Sequence, residues 1–244
     1  NDRLYLSLFH GTDRLINTSS DSSDEDLSER EINFNWSNSI GSLRWNHTFN
    51  ANLFVNTTLT FSDYGFDLGN FELIEPFDGS PEEFFLYTNT ARNREVGLST
   101  DLDFFKSNDL SFRLGAGLSR SLFNLELSFI DDSDVEASEL DTVDAEALGA
   151  LSSPVASVAY QAHVYGEAQY NWAKNWEANL GLRLSFFNAE ERRYFNPEPR
   201  VSLAYHPNQQ SQWNLSGTRM VQYIHLTTSS ALRLPSDLWL PSSE

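Results

Sequence analysis

From Val158 to Trp172 the chain places Val, Tyr, Ala, Val, Gly, Ala, Tyr and Trp at every second position, with Ala, Gln, His, Tyr, Glu, Gln and Asn between them. After Ala173-Lys174-Asn175 the alternation restarts. Trp176, Ala178, Leu180, Leu182, Leu184 and Phe186 stand against Glu177, Asn179, Gly181, Arg183 and Ser185. A β-strand sends successive side chains to opposite faces, so this pattern demands a ribbon with one apolar and one polar face. Its length is the stronger constraint. Soluble strands usually run about 3–10 residues, whereas a strand the length of Val158–Trp172 extends roughly 50 Å at about 3.3 Å per residue. Tilted by about 45°, it covers roughly 35 Å along a membrane normal, enough to cross an apolar band of about 25 Å.

The same design recurs. Leu53, Val55, Thr57, Leu59 and Phe61 alternate with Phe54, Asn56, Thr58 and Thr60; Leu110, Phe112, Leu114, Ala116 and Leu118 alternate with Ser111, Arg113, Gly115, Gly117 and Ser119. Alternating segments are expected near 3–15, 31–49, 52–66, 84–105, 110–129, 156–172, 176–195, 199–207 and 211–226, with no convincing helical period anywhere. The chain is all-β, and the expected architecture is an antiparallel up-and-down transmembrane β-barrel. A large soluble sandwich or jelly roll also alternates, and stays open at this point. It does not account for such long strands or for the distribution of aromatics.

Tight connections are expected at Asn50-Ala51, Ser107-Asn108-Asp109, Lys174-Asn175 and Pro207-Asn208-Gln209-Gln210, all rich in turn formers. Longer ones are expected at 16–30, 67–83 and 130–155, with a shorter loop at Asn196-Pro197-Glu198-Pro199. Short and long would then alternate, gathering every tight turn at one end of the sheet. Trp45, Phe104, Trp172, Trp176, Tyr205 and Trp213 collect at that end. Trp and Tyr favour the hydrocarbon–water boundary, which marks these residues as a lipid-interface girdle.

The net charge of -19 excludes a nucleic-acid partner, because phosphate binding needs a basic face. With no cysteine, disulfide and thiolate chemistry are out. Mean hydropathy is -0.43 and no apolar run is long enough for a membrane-spanning helix. Arg113, His163, Glu167, Arg183 and Asp101, with Glu95 and Asp103, fall on the polar face; in a barrel they would look into a hydrated lumen or onto a plug. As ordinary lumen residues they need no further role. The acidic run containing Asp131, Asp132 and Asp134 offers oxygen ligands of the kind Ca²⁺ takes, but without EF-hand spacing. A solvated outer loop explains it better, and no metal site or cofactor is expected. The histidines make no HxH or HExxH pattern, and no G-x-S-x-G is present, so no enzyme is expected.

Nine strands make an odd number where bacterial single-chain barrels use even ones, and a spanning sheet must close. The whole chain, 1–244, is therefore expected to be an arc of a bigger barrel. Two stretches carry a resemblance. Gly41-Ser42-Leu43-Arg44-Trp45-Asn46-His47-Thr48-Phe49, continued by 53–64, resembles a hairpin of Bacteroidetes TonB-dependent outer-membrane receptors. Pro199-Arg200-Val201-Ser202-Leu203-Ala204-Tyr205, followed by Gln222-Tyr223-Ile224-His225-Leu226 and by Leu234-Pro235-Ser236-Asp237-Leu238-Trp239-Leu240-Pro241, looks like the same family's barrel. The resemblance implies a barrel of about 22 strands around an N-terminal plug, in the bacterial outer membrane. It also implies uptake of a siderophore, cobalamin, glycan or peptide with energy from TonB. The implied partners are TonB, a surface lipoprotein, the nutrient ligand, and outer-membrane lipid and lipopolysaccharide. A passive porin, or a non-transporting adhesin or assembly partner, is the alternative.

Overall fold

A computed structural model of the chain describes residues 1–79, 83–132, 151–152, 155–189, 192–208, 210–227 and 238–241. The elements are β1 (Asp2–Ser22), β2 (Asp26–Asn50), β3 (Leu53–Pro76), β4 (Glu83–Phe105), β5 (Leu110–Asp132), β6 (Leu151–Ser152), β7 (Val155–Ala173), β8 (Trp176–Ala189), β9 (Arg192–Asn208), β10 (Ser211–Thr218), β11 (Ile224–Thr227) and β12 (Leu238–Pro241). One antiparallel sheet runs β1-β2-β3-β4-β5-β7-β8-β9-β10, and the short β6 pairs with β5. Every strand of this meander pairs with its neighbour in sequence, giving nine long or medium strands in an open sheet. β11 pairs with β12 in a separate ribbon.

The tight turns form where polar side chains can replace ladder partners. The Asn50 side-chain oxygen accepts from the Asn52 amide at 2.9 Å, and Asn208 does the same for Gln210 at 2.9 Å. Ser107 Oγ accepts from the Leu110 amide at 3.1 Å. Such local bonds stabilise the reversal at little entropic cost. The register shifts at Thr48/Asn50, Tyr170/Ala173 and Ser211/Trp213 all fall at this same end, where the sheet must bend into its turns.

The strands outrun the sequence expectation at the other end. Residues 16–30 and 67–83 were expected as long loops, yet β1 and β2 pair from Ser22↔Leu27 downward and β3 continues to Pro76. Only three residues join β1 to β2, so short and long connections do not alternate strictly. Asn, Ser and Asp satisfy water on both faces there while the backbone keeps its ladder, which hides a strand from any hydrophobic pattern. At 23 residues, β5 extends about 75 Å, far more than a bilayer requires.

Two further expectations are corrected. Asn196-Pro197-Glu198-Pro199 is not a loop but lies inside β9, paired with β8 as Leu184↔Pro197 and Leu182↔Pro199. In an antiparallel strand a residue's N and O point to the same side. Pro197 and Pro199 aim theirs at Arg219, beyond the end of β10, so their missing N–H groups remove no ladder bond. The segment expected over 211–226 is interrupted: β10 ends at Thr218, and Ile224–Thr227 forms β11 in the separate ribbon.

The two faces differ sharply. Leu59, Phe61, Val96, Leu98, Leu114, Leu118, Val164, Leu180, Leu182, Val201 and Leu215 stay exposed on one side of the sheet, Leu180 at 57% and Leu182 at 46%. No second sheet of the described residues covers them, which removes the sandwich reading. An apolar surface this extensive marks a membrane or partner contact. On this face the Thr57 and Thr100 hydroxyls pair with each other at 3.1 Å. The buried cluster, Phe123, Ala159, Phe187, Ala189 and Tyr223, forms on the opposite, polar face. Replacing Leu182 by Arg in the full-length protein should cost roughly 2–4 kcal/mol of folding stability at mid-membrane. Arg183→Leu should cost far less; urea titration of refolding into lipid vesicles would compare the two.

Candidate functional site

Strand register gathers the polar face into a continuous patch. Asp101, Gly115, Tyr165, Arg183 and Glu198 form one row across β4, β5, β7, β8 and β9. The next row toward the tight turns is Asp103, Arg113, Glu167, Gly181 and Arg200; the next away from them is Ser99, Gly117, His163, Ser185 and Asn196. Thus Arg113, His163, Glu167, Arg183 and Asp101 share three adjacent rows although they span 83 positions of sequence.

Within the patch, Arg113 Nε donates to Asp103 Oδ1 at 2.7 Å. Tyr165 O–H donates to Asp101 Oδ1 at 2.6 Å, and Asn179 donates to Glu167. Glycine makes this possible. A Cβ at Gly115 would lie 2.2 Å from the Tyr165 ring, and one at Gly117 would lie 2.4 Å from the His163 ring. The two rings therefore lie across bare backbone on β5, held at 6.4 Å from each other with planes 23° apart. The alternation shows Tyr165 only as one more polar-face residue; its role depends on the glycine opposite, which no single-strand pattern reveals.

A second feature escapes sequence reading altogether. Beyond Thr218 the chain leaves the ladder and crosses the polar face. The Arg219 amide donates to the Pro199 carbonyl at 3.1 Å, and its guanidinium donates to the Pro197 carbonyl and to Asn196 Oδ1, each at 3.0 Å. Tyr223 then stacks on Phe187 with centroids 4.8 Å apart and planes 4° from parallel. Its hydroxyl lies 2.8 Å from Ser185 Oγ and accepts from Asn196 Nδ2 at 3.0 Å. The resembling run 222–226 thus packs against the sheet's polar face at its Tyr.

Six buried polar atoms have no hydrogen-bond partner among the described residues: Asn46 Oδ1, Asn56 Oδ1, Asn89 Oδ1, Asn93 Oδ1, Ser157 Oγ and Arg183 Nε. Register puts all six on the polar face. Unpaired buried polar groups are costly, so this face is chemically suited to water or to another polar protein layer. The apolar face makes no such demand.

The aromatics named from the sequence are on the apolar face near the tight turns. Trp172 and Trp176 stack at 5.6 Å and 15°, Trp176 and Tyr205 at 4.4 Å and 29°, and Trp213 pairs with Tyr205 in register. Phe104 stacks on Phe112 at 6.3 Å, while Trp45 Nε1 donates to Asp2 at 2.9 Å. Asp131 and Asp132 close β5, their side chains and Asp134 lying outside the described residues. Among the described residues no three His, Asp or Glu side chains converge as metal ligands would.

Residues 1–236 match the family model described as TonB dependent receptor-like, beta-barrel. The chain belongs to this family. Its members are receptors rather than enzymes. No curated protein matches this receptor chain by sequence. Solved structures similar to it include the siderophore receptor PiuA from Acinetobacter baumannii, at 11% identity and a TM-score of 0.48, with 85% of this chain and 45% of that one covered. The copper transporter OprC is similar at 10% identity and TM-score 0.42, covering 86% and 43%. The FrpB iron transporter from Neisseria meningitidis is similar at 9% identity and TM-score 0.40, covering 89% and 46%. The chain therefore spans less than half the length of these proteins.

Gly115→Val should drive the Tyr165 ring off β5 and break its bond to Asp101, costing about 1–3 kcal/mol through overpacking. Tyr165→Phe, which keeps the ring, should cost only about 1 kcal/mol. Denaturant midpoints of the full-length protein would separate them.

Proposed function

We propose that this receptor chain is part of the barrel wall of an outer-membrane importer that takes up a large or scarce nutrient, energised by TonB. The observation that carries the reading is the opposition of the two faces. One is apolar, aromatic-rimmed and exposed; the other is a charged, hydrogen-bonded network with orphaned buried polar atoms. Lipid suits the first. A hydrated lumen holding a plug domain suits the second, where Asp101, Arg113, His163, Glu167 and Arg183 would meet plug or solute. Family membership supports an energised receptor over a passive channel.

The edges of β1 and β10 would leave unpaired N–H and C=O groups in hydrocarbon, so strands outside this sequence would close a barrel of about 22. In this reading residues 1–244 are one fragment of that barrel domain, in the bacterial outer membrane. The substrate class extends over siderophores, cobalamin, glycans and peptides; selectivity resides in outer loops and plug. A surface lipoprotein that delivers the nutrient is a further partner of this reading.

Deleting the full-length gene should abolish accumulation of its nutrient at scarce supply, and collapsing the proton gradient in wild-type cells should do the same. Uptake that survives the collapse would mean a passive channel, and unchanged uptake after deletion would mean a protein that does not transport.

A further inference from the structure

On the apolar face the strands change character at a common level. Away from the tight turns, Leu59 and Phe61 give way to Asp63 on β3. Leu98 and Val96 give way to Arg94 and Arg92 on β4, and Leu118 gives way to Arg120 on β5. These residues are laterally adjacent: Asp63 pairs with Arg94, while Arg120 pairs with Val96, one same-face step away. A single carboxylate serves two guanidiniums. Asp63 accepts from Arg92 Nε at 2.7 Å and Nη2 at 2.8 Å, and from Arg94 Nε at 3.1 Å and Nη2 at 2.9 Å. Asp63 is only 12% exposed, whereas Arg92 and Arg94 are 54% and 44% exposed, so the cations rather than the anion face outward. Arg120 is exposed and has no ion pair or hydrogen bond among the described residues. Within the row three guanidiniums face one carboxylate, with Asp67 acting on Arg92 from the outer side, in a chain whose net charge is -19.

Such a row has a specific chemical complement. Its donors point sideways, out of the barrel wall, at the depth where hydrocarbon ends. Directly below lie the exposed Phe61, Val96, Leu98 and Leu118. A ligand that uses both features carries acyl chains and a phosphate whose oxygens fit the guanidinium fork. Short turns mark the periplasmic end of such barrels, so the row lies at the opposite, outer-leaflet end. Farther out, Asp67 and Glu126 would repel a phosphate placed higher, confining it to the arginine row. We infer that Arg92, Arg94 and Arg120, ordered by Asp63, form a binding site for the phosphate of an acylated phosphoglycolipid, the lipopolysaccharide class of the outer leaflet. The inference rests on the outer-membrane reading above.

The test uses the full-length receptor in mild detergent and purified short-chain lipopolysaccharide, with thermophoresis as the affinity readout. Arg94→Gln/Arg120→Gln should weaken binding about twenty-five-fold, near fivefold for each charge removed. Lys174→Gln, at the periplasmic turn, should stay within twofold of wild type. Enzymatically dephosphorylated glycolipid should bind the wild type as weakly as the intact lipid binds the double variant, and inorganic phosphate alone should not compete. Should the double variant misfold by heat-modifiability, Arg120→Gln should still weaken binding about fivefold. Equal affinity of the arginine variants and Lys174→Gln, retention of binding without the phosphate, or competition by inorganic phosphate would overturn the site. Lipid affinity is read without transport. A receptor that binds the lipid yet imports nothing keeps this site and loses the importer, and normal uptake with lipid affinity unchanged in the variants does the reverse.

Discussion

The backbone ladder is the constraint from which the rest of the structure follows. In hydrocarbon every N–H and C=O must find a partner within the protein, and a sheet does this only by pairing each strand along its whole crossing. The registers from β1 through β10, shifted only near the tight turns, meet that demand across the described sheet, and they fix which side chains become neighbours. The exceptions are informative because they occur where the demand lapses. The bulges sit at the tight-turn end, and Pro197 and Pro199 direct their N and O away from β8. Pro199 can do this because β10 has ended beside it and the Arg219 amide takes its carbonyl.

The same ladder separates two solvents by a few ångströms. Side chains one residue apart, such as Leu182 and Arg183, answer to different physics. The apolar face presents a bare Leu and Val surface, and on it the Thr57 and Thr100 hydroxyls pair with each other. On the inner face, charge and amide groups are common enough that the sheet cannot satisfy all of them by itself. Glycine serves the polar face. At Gly115 and Gly117 it removes bulk so that Tyr165 and His163 can lie flat across β5, turning a hole in the strand surface into an aromatic seat.

Electrostatics is distributed by height as well as by face. The chain is strongly acidic, yet arginines line the outer surface where the apolar band stops. Asp63 holds two of them in place through a shared carboxylate, which limits the entropy that exposed long side chains would otherwise lose on binding.

Alternation in segment after segment along the chain was enough to specify β-ribbons, their two faces and the aromatic row at the tight turns, because side-chain direction in a strand is a local property with a period of two. It also placed Arg113, His163, Glu167, Arg183 and Asp101 on one face. It could not specify the strand extensions beyond the membrane: where both faces meet water, Asn17, Ser20 and Glu29 carry no signal of pairing. It misread Asn196–Pro199, since whether a proline breaks a strand depends on what lies beside it. Only the tertiary structure decided that Tyr223 folds back onto Phe187 and that Gly115 sits opposite Tyr165. It alone made Asp63 a bridge between Arg92 and Arg94. These are relations between distant segments, set by register, and register is a property of the assembled sheet.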